Sequence, residues 1–307
     1  MRKFRCRLAT AAAVFTIPLL LAVTPVRHIT IIYTNSLNGN IDYCLCPSSP
    51  KGGLVKRSSE INRIRALYNN TFLFETGDFL SPDEDPLLAS YIIKSYAHIG
   101  YEAVLTGDQE FNIGINKFIK HSASLPLVCG NILFKNKGGF APAFNKFMII
   151  EKAGVKAGVA STISPEVINY LPAETASEIK VPDQIDELNK DIKSLKERGA
   201  DIIIVLSHSG YDRDLELAEA VTGIDLIIGG HSQTMIKKPE KKGRTLIVQA
   251  GADGSHIGIL ELQIGSNGIS SYKNSFRLPD HKSHPDDPVI RSFINSYQTE
   301  LRKKTGN

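Results

Sequence analysis

With 307 residues, 42% of them hydrophobic and 22% charged, the chain is long enough for one large domain or two small ones with a sizeable buried core. Ordinary charge and apolar content exclude a disordered, collagenous or coiled-coil protein, and four cysteines are too few for a scaffold built on disulfides. The formal net charge of +4 does not argue for an acidic partner, because Arg2, Lys3, Arg5 and Arg7 supply it before any acid occurs and the remainder is neutral.

Those four residues open a targeting segment. Residues 8–23 form an apolar run broken only by Thr10, Thr16 and Pro18, short of the ~20 residues that span a bilayer comfortably. A basic start followed by a short apolar run is the pattern of an export signal. Residues 1–24 are therefore expected to be a signal peptide, cleaved near Ala22 and Thr24, or an N-terminal anchor. Either outcome places the body in the periplasm or outside the cell, with membrane attachment only through the uncleaved segment.

From His28 onward, β-branched runs alternate with helical spacing. Residues 29–33 read as a strand buried on both faces, ending at the turn signal Asn38-Gly39-Asn40. Leu54, Ile61, Ile64 and Leu67 predict a helix over 54–68, after Gly52-Gly53. A strand over 71–74 runs into Thr76-Gly77-Asp78, followed by a helix over 86–99 and a strand over 103–105. Further on, 155–160 is a strand and 182–198 an amphipathic helix (Ile185, Leu188, Ile192, Leu195), with Pro182 near its start and Gly199 past its end. Strand 201–206, helix 215–221 and strand 225–228 come next; 245–249 and 257–264 are expected to pair as antiparallel strands, and 287–302 closes as a helix. Such alternation predicts an α/β sandwich without an internal repeat or a dividing linker.

Ligands of α/β sheets sit beyond the carboxyl ends of strands, so the polar residue after each apolar run is the place to look. Those residues are Ser36 and Asn38, Asp78, Asp108, His208 and His231. Asp and His together suit a borderline-soft divalent ion, zinc or manganese. Each residue alone reads equally well as a cap or turn-stabilising group; four converging at strand ends favour a metal site.

The blocks Asn35-Ser36-Leu37-Asn38-Gly39, Thr76-Gly77-Asp78, Thr106-Gly107-Asp108-Gln109-Glu110-Phe111-Asn112, Ser207-His208-Ser209-Gly210 and Gly229-Gly230-His231-Ser232-Gln233-Thr234 fall in collinear order over residues 29–265. In this the chain resembles the metallophosphoesterase domain of the 5′-nucleotidase family, within the calcineurin-like superfamily. The resemblance implies a four-layer αββα sandwich of two mixed sheets flanked by helices. It also implies phosphate-ester hydrolysis by two metal ions that clamp the phosphate. In the family, the first metal takes an Asp-x-His after the first strand and the second His of Gly-His-x-His. The second metal takes an Asn, a His and the first His of that motif, and one Asp bridges the pair.

Carried over by position, the two halves differ. Ser36 and Asn38 stand where Asp-x-His is expected, and Gln233 replaces the second His, so the ligands unique to the first metal are neutral here. The second set survives as Asp78 at the bridging position, Asp108 in place of Asn, His208 and His231. That implies one divalent ion on two carboxylates and two imidazoles. The family's Asn-His-Glu-Phe-Asp block assists transition-state charge and the leaving group through its His and Asp; Gln109 and Asn112 stand there, amides that cannot act as acid or base near neutral pH. Family nucleotidases add a substrate-binding domain whose aromatic residues sandwich the base. Here residues 28–280 read as the phosphoesterase domain and 281–307 as a C-terminal helical tail, with no nucleotide-specificity domain.

Cys44-Leu45-Cys46 falls in the loop after the first strand. Two such thiols in an exported protein form a disulfide, ligate a soft metal or exchange thiols, or are inert loop residues. Some relatives carry Cys-x-Cys or Cys-x-selenocysteine in this loop, which implies that the pair stands in for the lost first-metal ligands. Cys129 reads as a buried structural residue and Cys6 as part of the leader. His256 reads as a surface turn, with the cleft wall as the alternative; His28, His98, His121, His281 and His284 are expected in solvent. Lys56, Arg57, Arg63 and Arg65 read as a solvated helix face, and without interleaved aromatics they do not bind nucleic acid.

The expectation is an exported, metal-dependent hydrolase of a small phosphorylated or sulfur-containing substrate, with turnover weakened by the missing metal and helper residues. Two alternatives stand beside it. One is a catalytically degenerate metal- or anion-binding protein; the other is a thiol-redox or thiosulfate-ester-related protein using Cys44 and Cys46.

Overall fold

Alternate residues of the first strand face two different cores, and that division organises the molecule. The computed structural model describes residues 26–44, 53–266, 268–279 and 285–306. The leader, Cys46, His281 and His284 lie outside the described residues. In chain order the strands are β1 (Arg27–Thr34), β2 (Thr71–Thr76), β3 (Ala103–Leu105), β4 (Leu133–Asn136), β5 (Gly139–Ala141), β6 (Phe147–Lys152) and β7 (Val155–Ile163), then β8 (Ile179–Lys180), β9 (Ile202–His208), β10 (Leu226–Ile228), β11 (Glu240–Lys242), β12 (Thr245–Val248), β13 (Ile257–Gly265) and β14 (Gly268–Arg277). The helices are α1 (Gly53–Leu67), α2 (Pro86–Ile99), α3 (Ile115–His121), α4 (Ala173–Ala176), α5 (Gln184–Glu197), α6 (Tyr211–Ala220) and α7 (Pro288–Thr305).

Two mixed sheets stack face to face. One has the order β14-β13-β1-β2-β3 and the other β11-β12-β10-β9-β7-β6, with a small third sheet β5-β4-β8. Ile29, Ile31 and Tyr33 of β1 meet Ile202, Ile204 and Leu206 of β9 in the core between the sheets. Ile32 faces the other way, with Leu73 and residues of α1, α2, α3 and α7. On the far side, Ile203, Val205 and Ile227 pack under Leu188, Ile192 and Leu195 of α5 and Leu217 of α6. The result is the expected αββα order, its strands apolar on both faces because both faces are covered.

Local chemistry sets the ends of the elements. Asp85 caps α2 by accepting the Leu88 N–H at 2.9 Å, Pro86 occupies the first turn, and Gly100 ends the helix at φ 73° with its N–H on the Tyr96 carbonyl. In α5 the cap is Asp183, which accepts from Asp186 N, so the helix begins after Pro182 rather than at it.

Two expectations fail. β12 and β13 are not partners: β12 runs parallel to β10 and antiparallel to β11, whereas β13 pairs with β1 and β14 in the other sheet. The chain between them crosses from one sheet to the other. Lys56 and Arg57 are not solvated either. Arg57 is fully buried, 3.3 Å from the equally buried Glu75, whose carboxylate also accepts from Tyr96 and Thr34; Lys56 pairs with Asp286 at 2.7 Å. The N-terminal half of α1 is packed under α7, and its charges are answered from other elements. Arg63 alone of the four is mostly exposed.

Candidate metal centre

Four parallel strands deliver the site. Asp78 follows β2 and Asp108 follows β3 in one sheet, while His208 ends β9 and His231 follows β10 in the other, so the cluster bridges the carboxyl ends of both. Ligand atoms of all four lie within 4.8 Å of one another. His208 Nε2 stands 3.4 Å from Asp78 Oδ2 and 3.5 Å from Asp108 Oδ1, and His231 Nδ1 is 3.6 Å from Asp108 Oδ1. These spacings are too long for good hydrogen bonds. They match the ~3.4 Å edges of a tetrahedron of ligands placed ~2.1 Å from one ion.

The second shell settles the imidazole's orientation. His208 is fully buried and its Nδ1–H donates to the Thr76 carbonyl at 2.7 Å, which turns Nε2 toward the carboxylates. Neither His208 Nε2 nor Asp108 Oδ1, both buried, has a hydrogen-bond partner. Unsatisfied donor and acceptor atoms facing one point are costly unless something binds them. Burial lowers the basicity of His208, yet Asp78 and Asp108 overcome it and hold the ring well above the ordinary imidazole value. Burial works the other way on Asp108, but His208 and His231 bring it below the usual carboxylate range. A divalent cation held by these residues would take the place of that proton in the same field. The donor set therefore fits a divalent metal ion.

Close backbone approach makes room for the cluster. A Cβ on Gly107 would lie 2.3 Å from Asp78 Oδ1 and 2.6 Å from His208 Cε1, and one on Gly230 would lie 2.6 Å from the Thr76 carbonyl. Glu110 fixes the loops. Its buried carboxylate accepts the N–H groups of Asp78 (3.0 Å), Phe79 (2.8 Å), Leu80 (2.9 Å) and Gly107 (2.5 Å), tying the turn after β2 to the turn after β3. Burial and Asp78 push Glu110 up to about 8, against the N–H donors, which favour its ionised form.

No family model matches the chain. Human 5′-nucleotidase is 26% identical to it over 312 aligned positions, covering 89% of the chain and 53% of the human protein, so the chain spans about half of that relative. The calcineurin-like phosphoesterase YfkN from Bacillus subtilis superposes with a TM-score of 0.76 at 21% identity, over 92% of this chain and 100% of that one. The Thermus thermophilus sulfate thiohydrolase SoxB gives 0.80 at 16% identity, over 90% and 61%. The chain is similar to the metallophosphoesterase domain of 5′-nucleotidases. At these identities the two structures speak for fold alone.

Of Ser36, Asn38 and Gln233, the residues expected at the altered first-metal positions, only Asn38 belongs to a ladder of side-chain hydrogen bonds. Gln109 Nε2 donates to Asn38 Oδ1 at 3.1 Å, and Asn38 Nδ2 donates to Asp253 Oδ1 at 2.9 Å. Ser36 is buried beside them, its Oγ 3.3 Å from Asn35 Nδ2, whereas Gln233 is exposed. Asn112 donates to the Pro82 carbonyl at 2.8 Å. Cys44 is disulfide-bonded, and the segment before it is tied to α7, through Asp42 on Arg291 at 2.8 Å and Tyr43 under Lys56 and Arg291. Cys129 is free and buried, as expected. His256 is half-buried against Phe276, and His98 is exposed as expected, with its Nε2 3.1 Å from Asp287.

Sequence reading missed three contributors. Glu110 stood in a quoted block without a role, Thr76 acts through its carbonyl, and Asp253 anchors Asn38 from the far end of the chain. Of these only Glu110 carried a signal, a second carboxylate two residues after Asp108.

Proposed function

We propose that the protein is an exported phosphohydrolase that cleaves a small phosphate ester with one divalent ion, zinc or manganese, on Asp78, Asp108, His208 and His231. The observation that carries the reading is the pair of buried, unpartnered ligand atoms, His208 Nε2 and Asp108 Oδ1, inside that four-residue set. A divalent ion held there supplies Lewis-acid polarisation of a phosphoryl oxygen and a lowered pKa for bound water. The chain's own residues do the positioning. Thr76 fixes the His208 tautomer, Asp108 faces both imidazoles, and Glu110 holds the two carboxylate-bearing turns together. Gln109 and Asn112 hold no transferable proton at neutral pH, so the leaving group draws its proton from solvent and turnover is slow.

A single ion accords with the amide ladder, which satisfies Asn38 and Gln109 Nε2 without a cation. The basic and apolar leader supports export to the periplasm or beyond, and no helix among the described residues is long and apolar enough to cross a membrane. The likeness to human 5′-nucleotidase supports a nucleotide or another small phosphate ester as substrate. The disulfide at Cys44 favours a second reading, thiol or thiosulfate-ester chemistry through Cys44 and Cys46.

Metal analysis of the purified protein should find one ion per chain, lost in His231→Ala; protein without any ion would sink the first reading. Turnover of nucleotides and of a simple aryl phosphate should need His208 and His231 and survive Cys44→Ser and Cys46→Ser. The reverse dependence would favour the second.

A further inference from the structure

Beside the metal centre lies a cleft of about 560 Å³. It shares walls with two ligands: Ser209 follows His208, Ser232 follows His231, and a Cβ on Gly210 would stand 3.6 Å from Ser232 Cβ and 3.8 Å from His231 Cδ2. None of its residues has a part in holding the ion.

The floor is polar and uncharged. Gln184 is fully buried; its amide donates to Ser209 Oγ at 2.7 Å and Thr162 Oγ1 at 3.1 Å, and its carbonyl accepts from Arg213 Nε at 2.9 Å. Ser207 donates to the same Ser209 Oγ at 3.0 Å. With two donors on its oxygen, the Ser209 hydroxyl has its own proton left to give to an occupant. Arg213 is held from one side by Gln184 and from the other by Glu216. The rim is acidic, with Glu166, Asp212 and Glu216 exposed and Arg213 the one cation among the described lining residues. Tyr170 ends the short helical turn that contains Glu166; it is 66% exposed and its ring lies 5.3 Å from that of His231.

This arrangement selects by chemistry. An apolar occupant would strand the hydroxyl and amide groups of the floor. A second phosphate or carboxylate would meet three carboxylates and one already paired guanidinium. An uncharged group with several hydroxyls can accept from Ser209 and Arg213 and donate to the rim carboxylates. We infer that the cleft binds a sugar or polyol, the leaving-group side of the phosphate ester. The inference rests on the phosphohydrolase reading for the word ester, but not for the binding itself.

The test uses ribose, glucose and glycerol as unphosphorylated probes, followed by saturation-transfer NMR on the full chain with and without a chelator. Saturable binding of at least one probe is expected, persisting in chelator and weakened at least tenfold in Arg213→Ala and in Ser209→Ala. Glu216→Lys changes an exposed rim residue; it should raise turnover of a sugar bisphosphate relative to the monophosphate at least fivefold. Absence of sugar binding, equal binding in the variants, or preferential binding of inorganic phosphate or choline in chelator would overturn the inference. So would an unchanged bisphosphate-to-monophosphate ratio in Glu216→Lys. Sugar binding without any phosphatase turnover would support the cleft and count against the hydrolase reading, so the two fail separately.

Discussion

Replacing Glu110 by Gln is the sharpest probe of how the metal centre is held. Each carboxylate oxygen is used twice: Oε1 by the N–H groups of Phe79 and Leu80, Oε2 by those of Asp78 and Gly107. The substitution turns one oxygen into an NH2, so two accepted bonds become donor-against-donor contacts in a buried place. A buried N–H left without an acceptor costs about 1–3 kcal/mol, so stranding two costs about 2–6 kcal/mol. At about 2–4 °C per kcal/mol for a domain of this size, the melting temperature should fall by about 4–24 °C. Melting must be followed in chelator, so that the ion does not mask the change. Asp78 sits on the released turn, so metal affinity, read by titration of the apo protein, should drop about 10- to 100-fold. A melt within about 2 °C of wild type, together with unchanged metal affinity, would refute the assignment of Glu110 as the frame.

Four further outcomes follow from the contacts. Asn38→Asp sets a carboxylate against Asp253 Oδ1 where an N–H now donates at 2.9 Å; it should cost about 1–3 kcal/mol in urea denaturation, and Asp253→Asn should restore it. Gly107→Ala places a methyl 2.3 Å from Asp78 Oδ1 and should bring the metal content well below one ion per chain by elemental analysis. Arg57→Met leaves buried Glu75 unpaired and should destabilise by about 3–5 kcal/mol, with the loss partly recovered in the Arg57→Met, Glu75→Gln double variant. Burial pushes Asp214 up to about 8 from an unfolded value near 3.8, so the folded protein keeps a proton that the unfolded chain releases between those limits. That contribution favours folding at low pH and declines as pH rises from about 4 to 8; Asp214→Asn should flatten the slope of stability against pH, and parallel slopes would contradict the argument.

What could be read from the sequence follows from what each residue's partner is. β2, β3, β9 and β10 are buried on both faces, and the polar residue after each run is a member of the candidate metal set or one of the turn residues leading to it, so Asp78, Asp108, His208 and His231 were legible. The ends of α2 were legible because Asp85, Pro86 and Gly100 act within a few residues of themselves. β12 and β13 look alike as apolar runs, and nothing in such a run states which sheet it joins. β4, β5, β6, β11 and β14 carry many charged and polar residues on partly exposed faces, which obscures the alternation. Arg57 was misread because its partner Glu75 lies inside β2, and a charge gives no sign in the sequence of a counter-charge elsewhere in the chain. Glu110 and Asp253 act on backbone N–H groups and on a side-chain amide whose directions exist only in the fold.

The backbone explains why the neutral half of the site keeps its shape. Eight non-glycine residues among those described have positive φ, and six of them surround the cluster: Ser36 (47°), Asn38 (52°), Asp78 (57°), His231 (65°), Gln233 (54°) and Asp253 (57°). Such residues cost about 1–3 kcal/mol each and persist only where the surroundings over-determine them. The surroundings here are main-chain bonds. Ser36 N donates to the Gly77 carbonyl at 3.0 Å, Asn38 N to the Asp78 carbonyl at 2.9 Å, and Asp253 N to the Ser36 carbonyl at 2.7 Å. The turn after β1 therefore grips the backbone of Gly77 and Asp78, whatever side chains stand at 36 and 38. Neutral side chains at these positions leave that grip untouched, because it runs through N–H and carbonyl groups. The left-handed turns at 36 and 38 thus serve the candidate metal set: released from them, the Gly77-Asp78 turn would lose the two main-chain contacts that hold the positive φ of Asp78.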